Sequence, residues 1–216
     1  MSDCCTPKGY RTIFSEKSAR SEAKRYRSKG LDKVSRRIVE LVKERGVKGL
    51  TVLEVGGGIG AIEIELLKAG ATRATNVELT PTYEEAAGEL LREAGLFDRV
   101  DRRVGDFVDA DPAAADLVIL NRVVCCYPGM PRLVAAEAEH ARGTLGRAFP
   151  NDRWSTRLGM TLVNLAFRVF RVQFQVFLHR PDGILAAVEE HGLRMKLNHR
   201  GLVWQTAALE RAGQPL

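Results

Sequence analysis

Four glycines crowd into the five positions from Gly56 to Gly60, directly after a mostly apolar run at 52–55. Glycine adopts positive φ angles without steric cost, so this cluster predicts a sharp turn that brings the backbone close to a ligand. A helical pattern follows over 61–69. Strand, glycine turn and helix together predict the first half of a nucleotide-type cofactor site on a parallel sheet.

The rest of the chain continues the alternation of strands and helices. Two more strand-like runs, at 194–198 and 202–209, are separated by a short turn and are therefore expected to pair antiparallel. We predict an α/β fold: a Rossmann-like, seven-stranded, doubly wound sheet with one antiparallel strand, N-terminal helices and an inserted helical lid. The first five strands are predicted at 51–55, 74–78, 100–104, 117–120 and 144–149.

Two segments, 1–46 and 152–178, fall outside this alternation. Residues 1–14 are predicted to be irregular with a turn at 7–9, and helices are predicted at 15–29 and 31–45. Large apolar side chains recur at helical spacing from Trp154 to Val172, which predicts a helix that is either core or a lid over an apolar acceptor. We expect one structural domain, in which 1–46 is a basic helical lid segment and 47–216 binds the cofactor and carries the insertion 152–178.

Charge and cysteine usage limit the environment of the chain. Residues 1–37 hold 11 of the 33 Lys and Arg but only 4 of the 27 Asp and Glu, so this segment carries a net +7 and the rest of the chain a net −1. Such a segment is a solvated helix face or attracts an anionic partner. The chain has no apolar run of the roughly 18 residues that a membrane span needs. Without an N-terminal signal core, and with four cysteines in two adjacent pairs, a cytoplasmic location is predicted.

Carboxylates follow the strands where a nucleoside-containing cofactor requires them. Glu54 precedes the glycine cluster by two residues, and Glu78 closes the second strand where an acid can bind ribose hydroxyls. Asp106 and Phe107 follow the third strand, and an acid beside an aromatic suits an adenine ring. The glycine spacing alone also satisfies a dinucleotide fingerprint, so the cofactor class rests on these acids together with the position of the cluster in the chain.

With these positions, the chain resembles the class I S-adenosylmethionine-dependent methyltransferases over about two-thirds of its length, through 53–60, Glu78, 105–106 and 116–120. It is similar more narrowly to magnesium-protoporphyrin IX O-methyltransferases, through 120–128, 177–179 and the turn at 200–201. The resemblance implies S-adenosyl-L-methionine as cofactor. The binding residues that it implies are Glu54, Gly56, Gly58, Gly60, Glu78, Leu79, Asp106, Phe107 and Asn121.

An enzyme of this class positions the acceptor for in-line displacement at a sulfonium methyl group and excludes water. We expect a small-molecule acceptor between residues 1–30, 121–127 and 152–179, with Cys126, Tyr127 and His179 as catalytic candidates. We expect one of three kinds of acceptor: a carboxylate such as that of a porphyrin, a thiol, or a thiophilic species. Cysteine pairs at 4–5 and 125–126 motivate the thiophilic hypothesis, because thiolates favour soft elements such as arsenic. No metal site follows from the spacing.

Two other functions remain open. An RNA methyltransferase would use the basic N-terminal segment to attract its substrate. A non-catalytic cofactor-binding protein could instead lie on a membrane surface through the helix in 152–178. For the leading hypothesis, the expected partner is the small-molecule methyl acceptor, with no stable nucleic-acid or membrane partner.

Overall fold

Seven strands form one sheet in the computed structural model, which describes residues 7–213. The strand order is β3-β2-β1-β4-β5-β7-β6, and β7 runs opposite in direction to the other six strands. The predicted fold class is therefore confirmed. The strands are β1 (Thr51–Val55), β2 (Arg73–Glu78), β3 (Val100–Val104), β4 (Ala115–Asn121), β5 (Ala141–Pro150), β6 (Leu193–Arg200) and β7 (Trp204–Arg211).

Helices cover both faces of the sheet. In chain order they are α1 (Pro7–Ile13), α2 (Glu16–Lys29), α3 (Lys33–Lys43), α4 (Ala61–Lys68), α5 (Glu84–Glu93), α6 (Phe107–Ala110), α7 (Met130–His140), α8 (Trp154–Val169) and α9 (Pro181–Glu190). One apolar core lies between the sheet and α2 to α5, and a second lies between the sheet and α6, α7 and α9. The central strand β4 contributes alternate residues to the two cores, which explains its continuously apolar sequence.

The N-terminal helices begin and end at residues that the sequence makes recognisable. The Ser15 hydroxyl accepts a hydrogen bond from the Ser18 amide at the start of α2, and Gly30 ends that helix with a φ angle of +67°. Asp32 caps α3 by accepting from the amides of Val34 and Ser35. These caps satisfy amide groups that otherwise lack a partner in the first turn of a helix.

Two predicted segments differ from the structure. Residues 7–13 form α1 instead of an irregular turn, and α8 ends at Val169 although the apolar spacing continues to Val172. Both differences have the same cause, because the ring of Phe174 packs edge-on against Tyr10 and Phe14. Burial of this aromatic cluster orders the N-terminal segment as a helix and turns the chain away from the axis of α8. Within the described part of the chain, no helix has both the length and the apolarity to cross a membrane.

Candidate active site

The glycine cluster is a loop between β1 and α4. Gly56, Gly58 and Gly60 have φ angles of +61°, +58° and +73°, a region that other residues adopt only with strain. Gly57 has no such angle, but a Cβ atom there would lie 2.3 Å from Nδ2 of Asn76. The loop therefore requires glycine for backbone conformation at three positions and for space at the fourth.

A cavity of about 230 Å³ opens beside this loop at the carboxyl ends of β1, β2 and β4. Most of the predicted site residues meet in its wall, although they come from five separate parts of the chain. The predicted residues that line the cavity are Gly56, Gly58, Glu78, Leu79, Asp106, Phe107, Asn121, Cys126 and Tyr127.

Three predicted residues lie outside the wall of this cavity. Gly60 is the N-cap of α4, and Glu54 is buried below the loop, where its carboxylate accepts from the Glu63 amide at 2.9 Å. His179 lies behind Tyr127, with Nε2 at 3.4 Å from the Tyr127 carbonyl oxygen. Burial lowers the pKa of His179. His179 does not line this cavity, and its catalytic role stays a prediction.

Two carboxylates mark opposite parts of the cavity. Oε2 of Glu78 accepts from the Gly58 amide at 3.0 Å, and burial raises the pKa of Glu78. Asp106 caps α6 and accepts from the Tyr127 hydroxyl at 3.1 Å. Burial, followed by the charge of Asp106, raises the pKa of Tyr127 to about 12. Tyr127 therefore donates a hydrogen bond to Asp106, and its catalytic role stays a prediction.

A second cavity of about 200 Å³ adjoins the glycine loop and shares five residues with the first: Glu22, Gly56, Gly57, Asn121 and Arg122. The shared residues mark the junction of the two cavities. Glu54 takes part in the wall of the second cavity. A ligand with two chemically distinct ends can therefore span both cavities across the loop.

Glu22 is a residue of this junction that the sequence analysis did not identify. It lies on α2, and its carboxylate accepts from the Tyr83 hydroxyl at 3.2 Å. Burial raises the pKa of Glu22. No local motif marks this position, because its partner is 61 residues away in the sequence.

Arg122 is the second residue that sequence analysis missed. It follows β4 with a φ angle of +64°, which is strained for a side chain of this size. One terminal nitrogen donates to Asp32 at 2.6 Å, and the guanidinium carbon lies 5.2 Å from the ring centre of Trp204. Within the described residues, the Nε atom of Arg122 and the Oδ1 atom of Asn121 are buried without a hydrogen-bond partner.

A buried ionic network supports the loop from below. Arg102 on β3 donates to the Gly58 carbonyl at 2.9 Å and to Glu84 at 2.8 Å, and it lies 3.3 Å from Glu63. Its side chain is 8% exposed and that of Glu63 is fully buried. Burial and then the charge of Glu63 raise the pKa of Glu54. A single guanidinium group thus compensates several carboxylates and fixes the loop backbone.

The cysteine pair at the end of β4 is only partly accessible. Cys125 is buried, whereas Cys126 lines the first cavity, and their sulfur atoms are 3.7 Å apart. The hydrogen bond with Cys126 lowers the pKa of Cys125. The predicted cooperation with the cysteines at positions 4 and 5 concerns residues outside the described range 7–213.

Comparison with known proteins identifies related sequences and folds. A family model for the O-methyltransferase domain matches residues 7–128. Mitomycin biosynthesis 6-O-methyltransferase from Streptomyces lavendulae is 37% identical over 75 residues, a match that spans 34% of this chain and only 21% of that protein.

Two solved structures illustrate the shared fold. Magnesium protoporphyrin IX methyltransferase from Synechocystis PCC 6803, with bound SAH, has 17% identity and a TM-score of 0.66, covering 93% of this chain and 84% of that one. The O-methyltransferase family 2 protein from Planctomyces limnophilus, in complex with apigenin, has 20% identity and a TM-score of 0.68, covering 91% and 62%. At these identities the comparisons establish the fold.

Proposed function

The chain belongs to the family of O-methyltransferase domains, and on that basis we propose that it transfers a methyl group from S-adenosyl-L-methionine to a small molecule in the first cavity. Its family membership agrees with the predicted class of S-adenosylmethionine-dependent methyltransferases. The acceptor and the roles of individual residues are parts of the proposal.

The observation that carries the proposal is the meeting of two cavities across the glycine loop. In the first, Glu78 would bind the ribose hydroxyls, and Asp106 and Phe107 would hold adenine. In the second, the guanidinium group of Arg122 suits a carboxylate, and the carboxylate of Glu54 suits an ammonium group. S-adenosylmethionine has a nucleoside end and an amino-acid end. A nicotinamide dinucleotide has no amino-acid end.

The cofactor would supply the methyl group on its sulfonium, at the junction of the two cavities. Glu22 lies at this junction, and we assign it the role of general base for a hydroxyl acceptor. Its carboxylate would accept the proton of the acceptor hydroxyl as that oxygen is methylated. Tyr10 and Phe14, from the N-terminal segment, line the first cavity and would exclude water from it. This supports the proposed role of the N-terminal segment as a lid.

A thiol or thiophilic acceptor is the second candidate, favoured by the Cys126 sulfur in the cavity wall, 3.7 Å from that of Cys125. Both cysteines are free thiols, and the cytoplasmic location stays a prediction. The RNA alternative has less support, because Arg20, Arg25 and Arg27 form ion pairs with nearby carboxylates. These ion pairs compensate part of the N-terminal positive charge within the protein.

Calorimetric titration with S-adenosylmethionine, S-adenosylhomocysteine and NAD tests the cofactor. We expect both adenosyl ligands to bind, and Glu78→Ala to weaken them by about 10- to 100-fold, since a hydrogen bond to a charged group contributes roughly 1.5–3 kcal/mol. Glu85→Ala, at an exposed side chain of α5, is the matched control and should bind normally. Binding of NAD instead, or of none of the three ligands, contradicts the proposal. Release of S-adenosylhomocysteine in the presence of phenols, porphyrin carboxylates, thiols or arsenite then identifies the acceptor class.

A further inference from the structure

Helix α8 presents an apolar stripe to the outside of the molecule. Thr156 is the one buried residue among its 16 residues. Five apolar side chains recur along one side of the helix at intervals of three or four residues, and each is more than half exposed. They are Trp154 (78% exposed), Leu158 (51%), Leu162 (55%), Leu165 (55%) and Val169 (68%). Apolar helices are normally buried, and exposed apolar patches of this kind mark interaction sites.

Neighbouring residues enlarge this stripe. Phe170 follows the helix and is 77% exposed, and Leu202 in the turn between β6 and β7 is 81% exposed. Asn151 joins this turn to the start of α8, because its Nδ2 donates to the Leu202 carbonyl while its Oδ1 accepts from the Thr156 hydroxyl. We call the stripe together with Phe170 and Leu202 the α8 surface.

Positive charge borders the α8 surface. Arg153, Arg157, Arg168 and Arg171 lie in or beside the helix, and all four are exposed. Within the described chain, Arg157 is the one of these four in an ion pair, with Asp152. Uncompensated basic residues beside an apolar face match the charge of an anionic lipid surface.

A second copy of the chain fits this surface less well. Arg157 and Arg168 are 11 residues apart, about three helical turns, so they lie on the same flank of the stripe. Antiparallel packing of two such helices would bring these flanks together and oppose like charges. Parallel packing would place the arginines of one helix against the other flank of its partner, at Ser155 and Gly159. That flank offers no carboxylate to pair with them.

We propose that the α8 surface binds the face of a lipid bilayer that contains anionic lipids, with the helix lying in the plane of the interface. The apolar stripe enters the boundary between headgroups and acyl chains, and the arginines contact the lipid phosphates. This proposal departs from the expectation, drawn from the sequence, of no stable membrane partner. The proposal requires neither cofactor binding nor catalysis.

Flotation of the purified protein with vesicles tests the proposal. We expect binding to phosphatidylcholine vesicles that contain phosphatidylglycerol, and at least tenfold weaker binding to vesicles of phosphatidylcholine alone. Leu162→Ser combined with Leu165→Ser should weaken binding at least about tenfold, because two large apolar groups no longer enter the interface. Val104→Ser, at a residue 51% exposed on the edge strand β3, is the matched control and should bind like the original chain.

Circular dichroism and S-adenosylmethionine titration establish that the double variant is folded, so that lost vesicle binding reports on the surface. Equal binding of the double variant and the original chain overturns the proposal, as does equal binding to both kinds of vesicle. Binding to neither vesicle also overturns it. If the original chain is then a dimer that the double variant dissociates, the α8 surface is an interface between copies.

Discussion

The buried network below the glycine loop gives a quantitative prediction for Arg102→Met. The Arg102 side chain is 8% exposed and compensates Glu63, which is fully buried. Its removal leaves that carboxylate without a charge partner, a change that costs about 3–5 kcal/mol when a buried ion pair is broken. The Gly58 carbonyl also loses its hydrogen bond from Arg102. We therefore expect the free energy of unfolding to fall by about this amount near neutral pH.

The loss should depend on pH. Burial already raises the pKa of Glu63, and removal of Arg102 raises it further. A carboxyl group whose pKa is higher in the folded state contributes stability below its unfolded pKa, and that contribution disappears as pH rises through the folded pKa. Arg102→Met should therefore be less harmful at about pH 5 than at about pH 8.

Urea unfolding followed by circular dichroism measures this effect. Arg103→Met is the matched control, since Arg103 is the next residue of β3, is 46% exposed and pairs with the exposed Asp101. Its expected cost is below about 1 kcal/mol. Adding Glu63→Gln to Arg102→Met should recover part of the stability, because the uncompensated charge is removed. Similar small losses for Arg102→Met and Arg103→Met, or no recovery in the double variant, would refute the reasoning.

Two further predictions concern carboxyl groups with raised pKa values. Glu22→Gln should lower kcat for a hydroxyl acceptor by about 10²- to 10⁴-fold, because the proposed general base is removed. The variant should also lose the acid limb of the pH profile, which reflects protonation of Glu22, whose pKa is raised by burial. An unchanged kcat and pH profile would exclude this role. Burial raises the pKa of Glu137 to about 7 against an ordinary value of 4.5, despite the buried Arg147 beside it. Neutral Glu137 contributes stability below pH 4.5, and this contribution should disappear as pH rises to about 7. The free energy of unfolding of Glu137→Gln should not show this pH-dependent loss. Parallel pH curves for the original chain and the variant would contradict this.

Local sequence determined the framework of the cofactor site. The predicted bounds of β1 and β3 agree with the structure, because short apolar or alternating runs between turn residues leave few other conformations. The glycine loop was equally predictable, since its positive φ angles are a property of single residues. Once the strands are parallel, their carboxyl ends share one edge, which is why Glu78 and Asp106 reach the same cavity.

Contacts between distant parts of the chain decided the rest. Glu22 enters the junction of the cavities only because α2 packs beside Tyr83, and Arg122 is held by Asp32, 90 residues away. His179 lies next to the Tyr127 carbonyl oxygen and outside the wall of the first cavity, an arrangement that depends on the packing of 170–179. The same packing ends α8 at Val169, where burial of Phe174 outweighs helical periodicity. Periodicity and glycine spacing thus determined the strands and the loop, whereas the exposure of α8 and the members of the junction depended on which surfaces the tertiary fold buries.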